Sequence, residues 1–192
     1  MLAKVFGSKT KTKIIKHLYL DVNRRFFMRQ IEREVGEQIN SVREALLFLV
    51  KAGLVSSEKV GRKLYFSANK DGLFYDEILR MVTKSEGLGG VIIKEKLRLG
   101  KIKTVFFTNN FFNRHPNPNG EIDIFIIGEV SPAEISKLIK DEEQRIGREI
   151  NYSIMTREEF SFRKKNKDPF LVNILQKGRL LLLGKESYLE ES

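Results

Sequence analysis

Residues 8–69 constrain this chain more than any other stretch, because three short apolar stripes at helical spacing are punctuated by glycines and followed by two strand-like runs. Ile14, Ile15 and Leu18 form the first stripe, behind Ser8, whose hydroxyl suits an N-cap. Met28, Ile31 and Val35 fall at i, i+3 and i+7 in the second, and Gly36 supplies the turn after it. The third is expected to begin near Asn40, another N-cap residue type, and to bury Val42, Leu46 and Leu49 with Ile39 packed just ahead. Gly53 then stops it where a left-handed residue is needed. Residues 54–59 and 62–67 read as two strands pivoting on Val60-Gly61, a short hairpin. Three amphipathic helices with a tight glycine turn between the second and third match the helix-turn-helix motif.

Charge is segregated along the same line. Residues 1–70 hold 15 Lys/Arg against 6 Asp/Glu, a net of +9, and the remaining 20 basic and 19 acidic side chains leave residues 71–192 at +1. Basic charge concentrated on one module is the footprint of a duplex binder, since each neutralised phosphate releases condensed counterions. A length of 192 residues, 41% of them apolar, suits two small cores, and the charge step near residue 70 favours two domains. No window approaches the roughly 18 uninterrupted apolar residues of a membrane span, and the first ten residues lack a signal-peptide core. The chain has no cysteine for disulfides or thiolate metal sites, and its two histidines, His17 and His115, lie far apart in sequence. A cytoplasmic protein without membrane contact is expected.

The segments FGSKTKTKIIKHL, INSVREALLFLVKAGLVSSEKVGRKLYF and SANK resemble the ArsR-type winged-helix transcription regulators over about 65 residues. The resemblance implies a homodimer on double-stranded DNA. Within that frame Gln38, Asn40, Ser41 and Arg43, at the start of the third helix, face the groove, and Arg43 suits bidentate contact with guanine. Arg25 and Arg29, at the start of the second helix, hold phosphates and set register. Lys59, Arg62 and Lys63 arm the hairpin tip for minor-groove or backbone contact. Glu44 repels phosphate, so it points away or accepts from a cytosine amino group. Leu47, Phe48 and Val50 stand where such regulators are commonly polar, and are expected to be covered by the second domain or a partner subunit.

Beyond residue 70, Phe74, Ile78, Met81 and Val82 make an apolar stripe over 74–82, fit for a connecting or dimerisation helix. Gly87-Leu88-Gly89-Gly90 lacks the Walker lysine-threonine sequel and reads as a flexible hinge. From Lys101 onward the pattern predicts a strand at 104–107, a polar loop at 109–120 containing Pro116 and Pro118, and a strand at 121–127. A helix then runs from Ser131-Pro132 to about Ile146, ended by Gly147, before a strand at 149–155. Thr156 and Glu159 form a capping box, Asp168-Pro169 opens a short helix, and 179–183 reads as a last buried strand. Arg163-Lys164-Lys165 with Lys167 reads as a solvated helix end in preference to a contact for nucleic acid or an acidic partner. The fold class is α+β, with a winged helix-turn-helix over 1–70, connecting helices and hinge over 71–100, a small mixed-sheet domain over 101–185 and a tail over 186–192.

TVFFTNNFFNRHPNPNGEIDIFIIG resembles the minimal nucleotidyltransferase domain, a compact relative of the polymerase-beta-type enzymes. That family carries Gly-Ser after a strand to cradle a triphosphate, then Asp-x-Asp and a third carboxylate to hold two magnesium ions. Here Gly-Ser falls on Asn109-Asn110, the first metal ligand on Glu121, only Asp123 is retained, and 149–154 offers no third acid. Magnesium demands tight octahedral geometry at about 2.1 Å, which this set serves poorly. The resemblance therefore implies the fold without catalysis, with no catalytic residue and no cofactor. Asn109, Asn110, Arg114, Glu121 and Asp123 mark a vestigial magnesium and nucleotide site, either an inherited empty cleft or a pocket sensing a nucleotide effector, in a domain used for dimerisation or ligand sensing. The expected function is a sequence-specific DNA-binding transcriptional regulator. The alternatives are a magnesium-dependent nucleotidyltransferase modifying a protein or RNA, and an antitoxin-type module that binds a protein partner.

Overall fold

The computed structural model describes residues 2–115, 117 and 119–190, so Pro116 and Pro118 of the expected loop lie outside the described residues. The chain divides into two units, Met1–Glu86 and Gly87–Ser192, each with its own three- or four-stranded sheet and helices. The division falls inside the segment 71–100 expected to connect two domains.

The first unit runs α1 (Leu2–Phe6), α2 (Lys9–Leu20), β1 (Phe26–Phe27), α3 (Met28–Val35), α4 (Ile39–Lys51), β2 (Val55–Val60), β3 (Lys63–Ala68) and α5 (Tyr75–Ser85). Ser8 caps α2 as expected, its hydroxyl accepting from the Lys11 amide at 3.3 Å. Ile14, Ile15 and Leu18 are fully buried with Tyr19. Gly36 ends α3 at φ 62°. Helix α4 starts one residue before the expected cap: Gln38 is the N-cap, without a side-chain bond, and Asn40 lies inside the first turn. Its buried residues, Val42, Ala45, Leu46 and Leu49, share one arc. Gly53, at φ 72°, closes it, with its amide donating to Val50 O at 3.0 Å and the Leu54 amide to Leu49 O at 3.0 Å. The Tyr19 phenol donates to Leu54 O at 2.9 Å, which ties α2 to the chain leaving α4, and burial pushes that phenol's pKa well up.

Strands β2 and β3 pair antiparallel with Val60 opposite Lys63, so the turn is Gly61-Arg62, one residue beyond the expected pivot. Gly61 takes φ 60° at the first turn position, which suits the twist of a tight hairpin. The two-residue strand β1 joins the other edge of β3, giving the order β1-β3-β2. Neither α1 nor β1 was expected, and both are too short to carry a period. Helix α5 buries Ile78, Leu79, Val82 and Thr83. The expected stripe is thus right at Ile78 and Val82 but rotated: Phe74 is the N-cap and 55% exposed, while Leu79 turns inward.

The second unit runs α6 (Gly87–Leu99), β4 (Gly100–Thr108), α7 (Asn109–Phe112), β5 (Ile124–Val130), α8 (Pro132–Ile146), β6 (Tyr152–Met155), α9 (Arg157–Lys165), α10 (Pro169–Gln176), β7 (Arg179–Leu183) and α11 (Glu186–Glu190). The expected glycine hinge is instead the first turn of α6, with Leu88 and Gly89 buried. Packing overrides the poor helix propensity of glycine there. The sheet order is β6-β5-β4-β7, with β4 antiparallel to both neighbours and β5 parallel to β6 through the α8 crossover. Ser131, Thr156 and Asp168 cap α8, α9 and α10 by accepting from the amides of Glu134, Glu159 and Leu171 at 3.4, 3.1 and 3.1 Å. The Phe106 and Phe125 rings stack at 5.3 Å within a core that includes Ile127, Met155, Phe160 and Leu171.

Three expected boundaries move. Strand β4 is longer than 104–107, β5 starts at Ile124 so that Glu121 and Asp123 precede it, and β6 starts at Tyr152. The expected loop at 109–120 opens with the single turn α7. Strand β7 is an edge strand of alternating burial, not a fully buried one.

Gly53→Ala should lower stability by about 1–2 kcal/mol, since only the left-handed φ is penalised and the added Cβ meets open space. Gly128→Ala should cost more, because its Cβ would sit 2.3 Å from Lys101 O. Urea denaturation of the two variants checks the order. A pH dependence comes from His17, packed 4.5 Å from the Phe26 ring with Nε2 3.0 Å from Glu34 Oε2. Burial holds its pKa below the usual value, with Glu34 opposing. The unfolded chain therefore takes up a proton first, and stability present above pH 6.5 should be lost as pH falls toward the folded value. Melting profiles on either side of pH 6.5, flatter for His17→Gln, test this.

Candidate nucleic-acid interface

The buried arc of α4 dictates what the helix offers outward. Asn40, Ser41, Arg43, Glu44, Leu47, Phe48 and Lys51 are exposed, as is Gln38 just ahead. At 3.6 residues per turn, Asn40, Glu44, Leu47 and Lys51 centre the outward arc, with Arg43 on one flank and Ser41 and Phe48 on the other. Arg43 and Leu47 line a cleft of about 490 Å³ that α4 shares with α3 and the β2–β3 hairpin. Arg29, Arg43, Arg62 and Lys63 bring four cations to that cleft, over apolar surface from Met28, Leu46, Leu47 and Leu64. The structure thus gathers four of the nine expected contact residues around one feature. Lys59 is exposed on β2 opposite Leu64, outside the cleft lining.

Arg25 is placed differently. Its Nη1 lies 2.9 Å from Glu58 Oε2, and its guanidinium stands 5.3 Å from the Tyr65 ring. Both partners are more than half exposed, so the pair contributes little and a phosphate can compete for it. By contrast Arg29, Arg43, Lys59, Arg62 and Lys63 have no carboxylate within ion-pair distance among the described residues. Several α2 lysines are engaged elsewhere. Lys13 pairs with Glu37 at 2.7 Å, holding that carboxyl below its usual pKa, and Lys16 pairs with Glu86 at 2.6 Å.

Two of the three α4 residues expected to be covered by the second domain or a partner subunit stand open on this unit. Leu47 and Phe48 are 62% and 52% exposed, and the Lys11 ammonium sits 3.3 Å above the Phe48 ring. Val50 is half-buried.

In the second unit, most residues of the expected vestigial site are engaged with other parts of the chain. The Asn109 amide donates to Gly178 O at 2.9 Å, joining the start of α7 to the approach of β7. Asn110 Nδ2 donates to Glu121 Oε2 at 3.1 Å, and Glu121 Oε1 lies 2.8 Å from Lys177 Nζ. Arg114 adopts φ 59° with its guanidinium 5.5 Å from the Phe111 ring. Asp123 is fully buried, and its two oxygens accept from Arg148 Nη1 and Nη2 at 3.0 and 3.1 Å. The Asn151 amide adds a third bond to Asp123 at 3.1 Å.

A guanidinium and an ammonium therefore occupy the two carboxylates that magnesium would need. Among the described residues no group of three or more His, Asp or Glu side chains could hold a metal. The donor set does not fit the ion. Nothing in the sequence singles out Arg148 and Lys177, because both pairings cross more than twenty residues and follow no local spacing. The Glu121–Lys177 pair lies in the lining of a cleft of about 460 Å³, with Thr108, Ile122, Phe170 and Asn173.

No family model matches this chain, and no curated protein matches it. Among solved structures, reduced HlyU from Vibrio cholerae N16961 is similar at 14% identity and a TM-score of 0.35, over 44% of this chain and 80% of that one. No helix of the described residues is long and apolar enough to cross a membrane.

Arg148→Met should destabilise the second unit by about 3–5 kcal/mol, since it leaves the Asp123 carboxylate buried without its cation. Adding Asp123→Asn to that variant should restore part of the loss. A urea double-mutant cycle measures the coupling.

Proposed function

We propose that this chain is a sequence-specific, double-stranded DNA-binding transcriptional regulator whose first unit is a winged helix-turn-helix. The observation that carries this reading is the cleft between α4 and the hairpin, where Arg29, Arg43, Arg62 and Lys63 converge without carboxylate partners among the described residues. In this reading α4 lies in the major groove. Gln38, Asn40, Ser41 and Arg43 approach base edges, while Arg29 and the hairpin cations Lys59, Arg62 and Lys63 take phosphates. Arg25 joins them once a phosphate displaces Glu58. The protein acts as a homodimer, with its two recognition helices about 34 Å apart on a pseudo-palindrome. The second unit is a nucleotidyltransferase-like domain kept for dimer contacts or for sensing a nucleotide, and the ion pairs on Glu121 and Asp123 support its not turning over substrate.

Selection of bound duplexes from a random pool, followed by anisotropy titrations at several salt concentrations, tests the reading. Log affinity should fall with log salt by about 0.9 per phosphate engaged. Arg43→Ala should relax preference at one base pair, costing about 1–3 kcal/mol on the preferred site alone. Lys63→Ala should weaken binding to every sequence and reduce the salt slope by about one. Failure to retain any duplex at low salt would overturn the proposal. Calorimetry with ATP and magnesium tests the second unit, where metal-dependent binding of ATP would reassign it to nucleotidyl transfer.

A further inference from the structure

The outward arc of α4 carries an apolar residue that neither phosphate contact nor hydrogen bonding explains. Leu47 is 62% exposed and lies one turn beyond Arg43, about 6 Å along the axis. It lines the cleft opposite the hairpin, where Leu64 is 48% exposed. Phe48, its neighbour, already carries the Lys11 ammonium over its ring, and Leu47 has no such cover. On the floor of a B-form major groove, the apolar group displayed to a protein is the 5-methyl of thymine.

We propose that Leu47 reads a thymine 5-methyl group, adding a base preference that no hydrogen bond supplies. This rests on the DNA-binding reading above and extends it to a residue outside the helix start. The occupant of this apolar strip is DNA because of what surrounds it: Arg43 and Lys51 on its own helix and Arg62 and Lys63 on the hairpin. Glu44 is the one carboxylate on the arc. A second copy of the chain docking here would bring like charges together, whereas a polyanion brings opposite ones. With Arg43 at a base edge, a rise of about 6 Å places Leu47 one to two base pairs further along the groove.

The test uses the full-length protein and a duplex chosen by selection, with each thymine replaced in turn by deoxyuridine. That exchange removes the methyl and leaves every hydrogen-bonding group in place. At one or two positions wild-type binding should weaken about three- to fivefold, the scale of burying one methyl group. Leu47→Ala, a solvent-exposed change to a better helix former, should bind the thymine and deoxyuridine duplexes equally at those positions. The inference is overturned when every thymine is replaceable without loss, when the selected site has no thymine, or when Leu47→Ala keeps the full methyl effect. A change in sedimentation of Leu47→Ala with the methyl effect intact would assign the residue to a protein interface instead. Absence of salt-dependent duplex binding would instead remove the DNA-binding reading itself, so the two failures are told apart.

Discussion

The direction in which α4 faces is decided by four side chains it hides. Val42, Ala45, Leu46 and Leu49 are buried on one arc of a helix that packs on α2, where Ile14, Ile15 and Leu18 are buried in turn, and a rigid helix has no freedom to hide one arc without presenting the other. The hydrogen bond from Tyr19 to Leu54 O fixes the exit of α4 to the same scaffold, and Gly53 turns the chain there into β2. The hairpin therefore leaves α4 at a set angle, and the cleft between them is a consequence of packing. Its cations are mounted on that packing, and none of them creates it.

The second unit shows the opposite use of charge. Asp123 is fully enclosed, where an unpaired carboxylate would be costly to desolvate, and Arg148 answers it with two parallel bonds. The same residue exchanges backbone bonds with both flanking segments: its amide donates to Asn151 O at 2.7 Å, and its carbonyl accepts from the Thr108 amide at 2.9 Å. Asp123 thus joins the end of β4, the approach to β5 and the approach to β6. A buried carboxylate whose two oxygens already accept from the Arg148 guanidinium and the Asn151 amide is poorly available to an exchangeable metal. Retention of an aspartate at this point needs no catalytic explanation.

What could be read from residues alone follows the range of the forces involved. Capping and glycine turns act within a few residues, so Ser8, Gly36, Gly53, Ser131, Gly147, Thr156 and Asp168 fall where local chemistry places them. Buried arcs act over one helix, and those of α2, α3 and α4 were legible. Legibility fails where distant partners decide. The rotation of α5 is set by what it packs on, and the glycine run at 87–90 is helical because Leu88 and Gly89 are buried. For the interface, composition pointed to the basic segment, but only geometry separates Arg25, paired with Glu58, from Arg29, which lines the cleft. The Asp123–Arg148 bond spans 25 residues and left no periodic trace.

Net charge is for the same reason a blunt guide. The excess of +9 on residues 1–70 counts Lys13 and Lys16, which are held by Glu37 and Glu86. What attracts a polyanion is the set of cations close enough to act together, within a Debye length of about 8 Å at physiological salt. Arg29, Arg43, Arg62 and Lys63 line one cleft and have no carboxylate partner among the described residues, so they are the cations free to act together. Glu44, exposed near the middle of the same arc, subtracts from it. Under the DNA-binding reading that subtraction is useful. A carboxylate facing the duplex weakens sequence-blind attraction to the backbone, and it recovers the loss only where a cytosine amino group donates to it. The arc of α4 then combines a cation, a carboxylate, an amide and an apolar side chain, whereas cations alone would bind tightly and discriminate poorly.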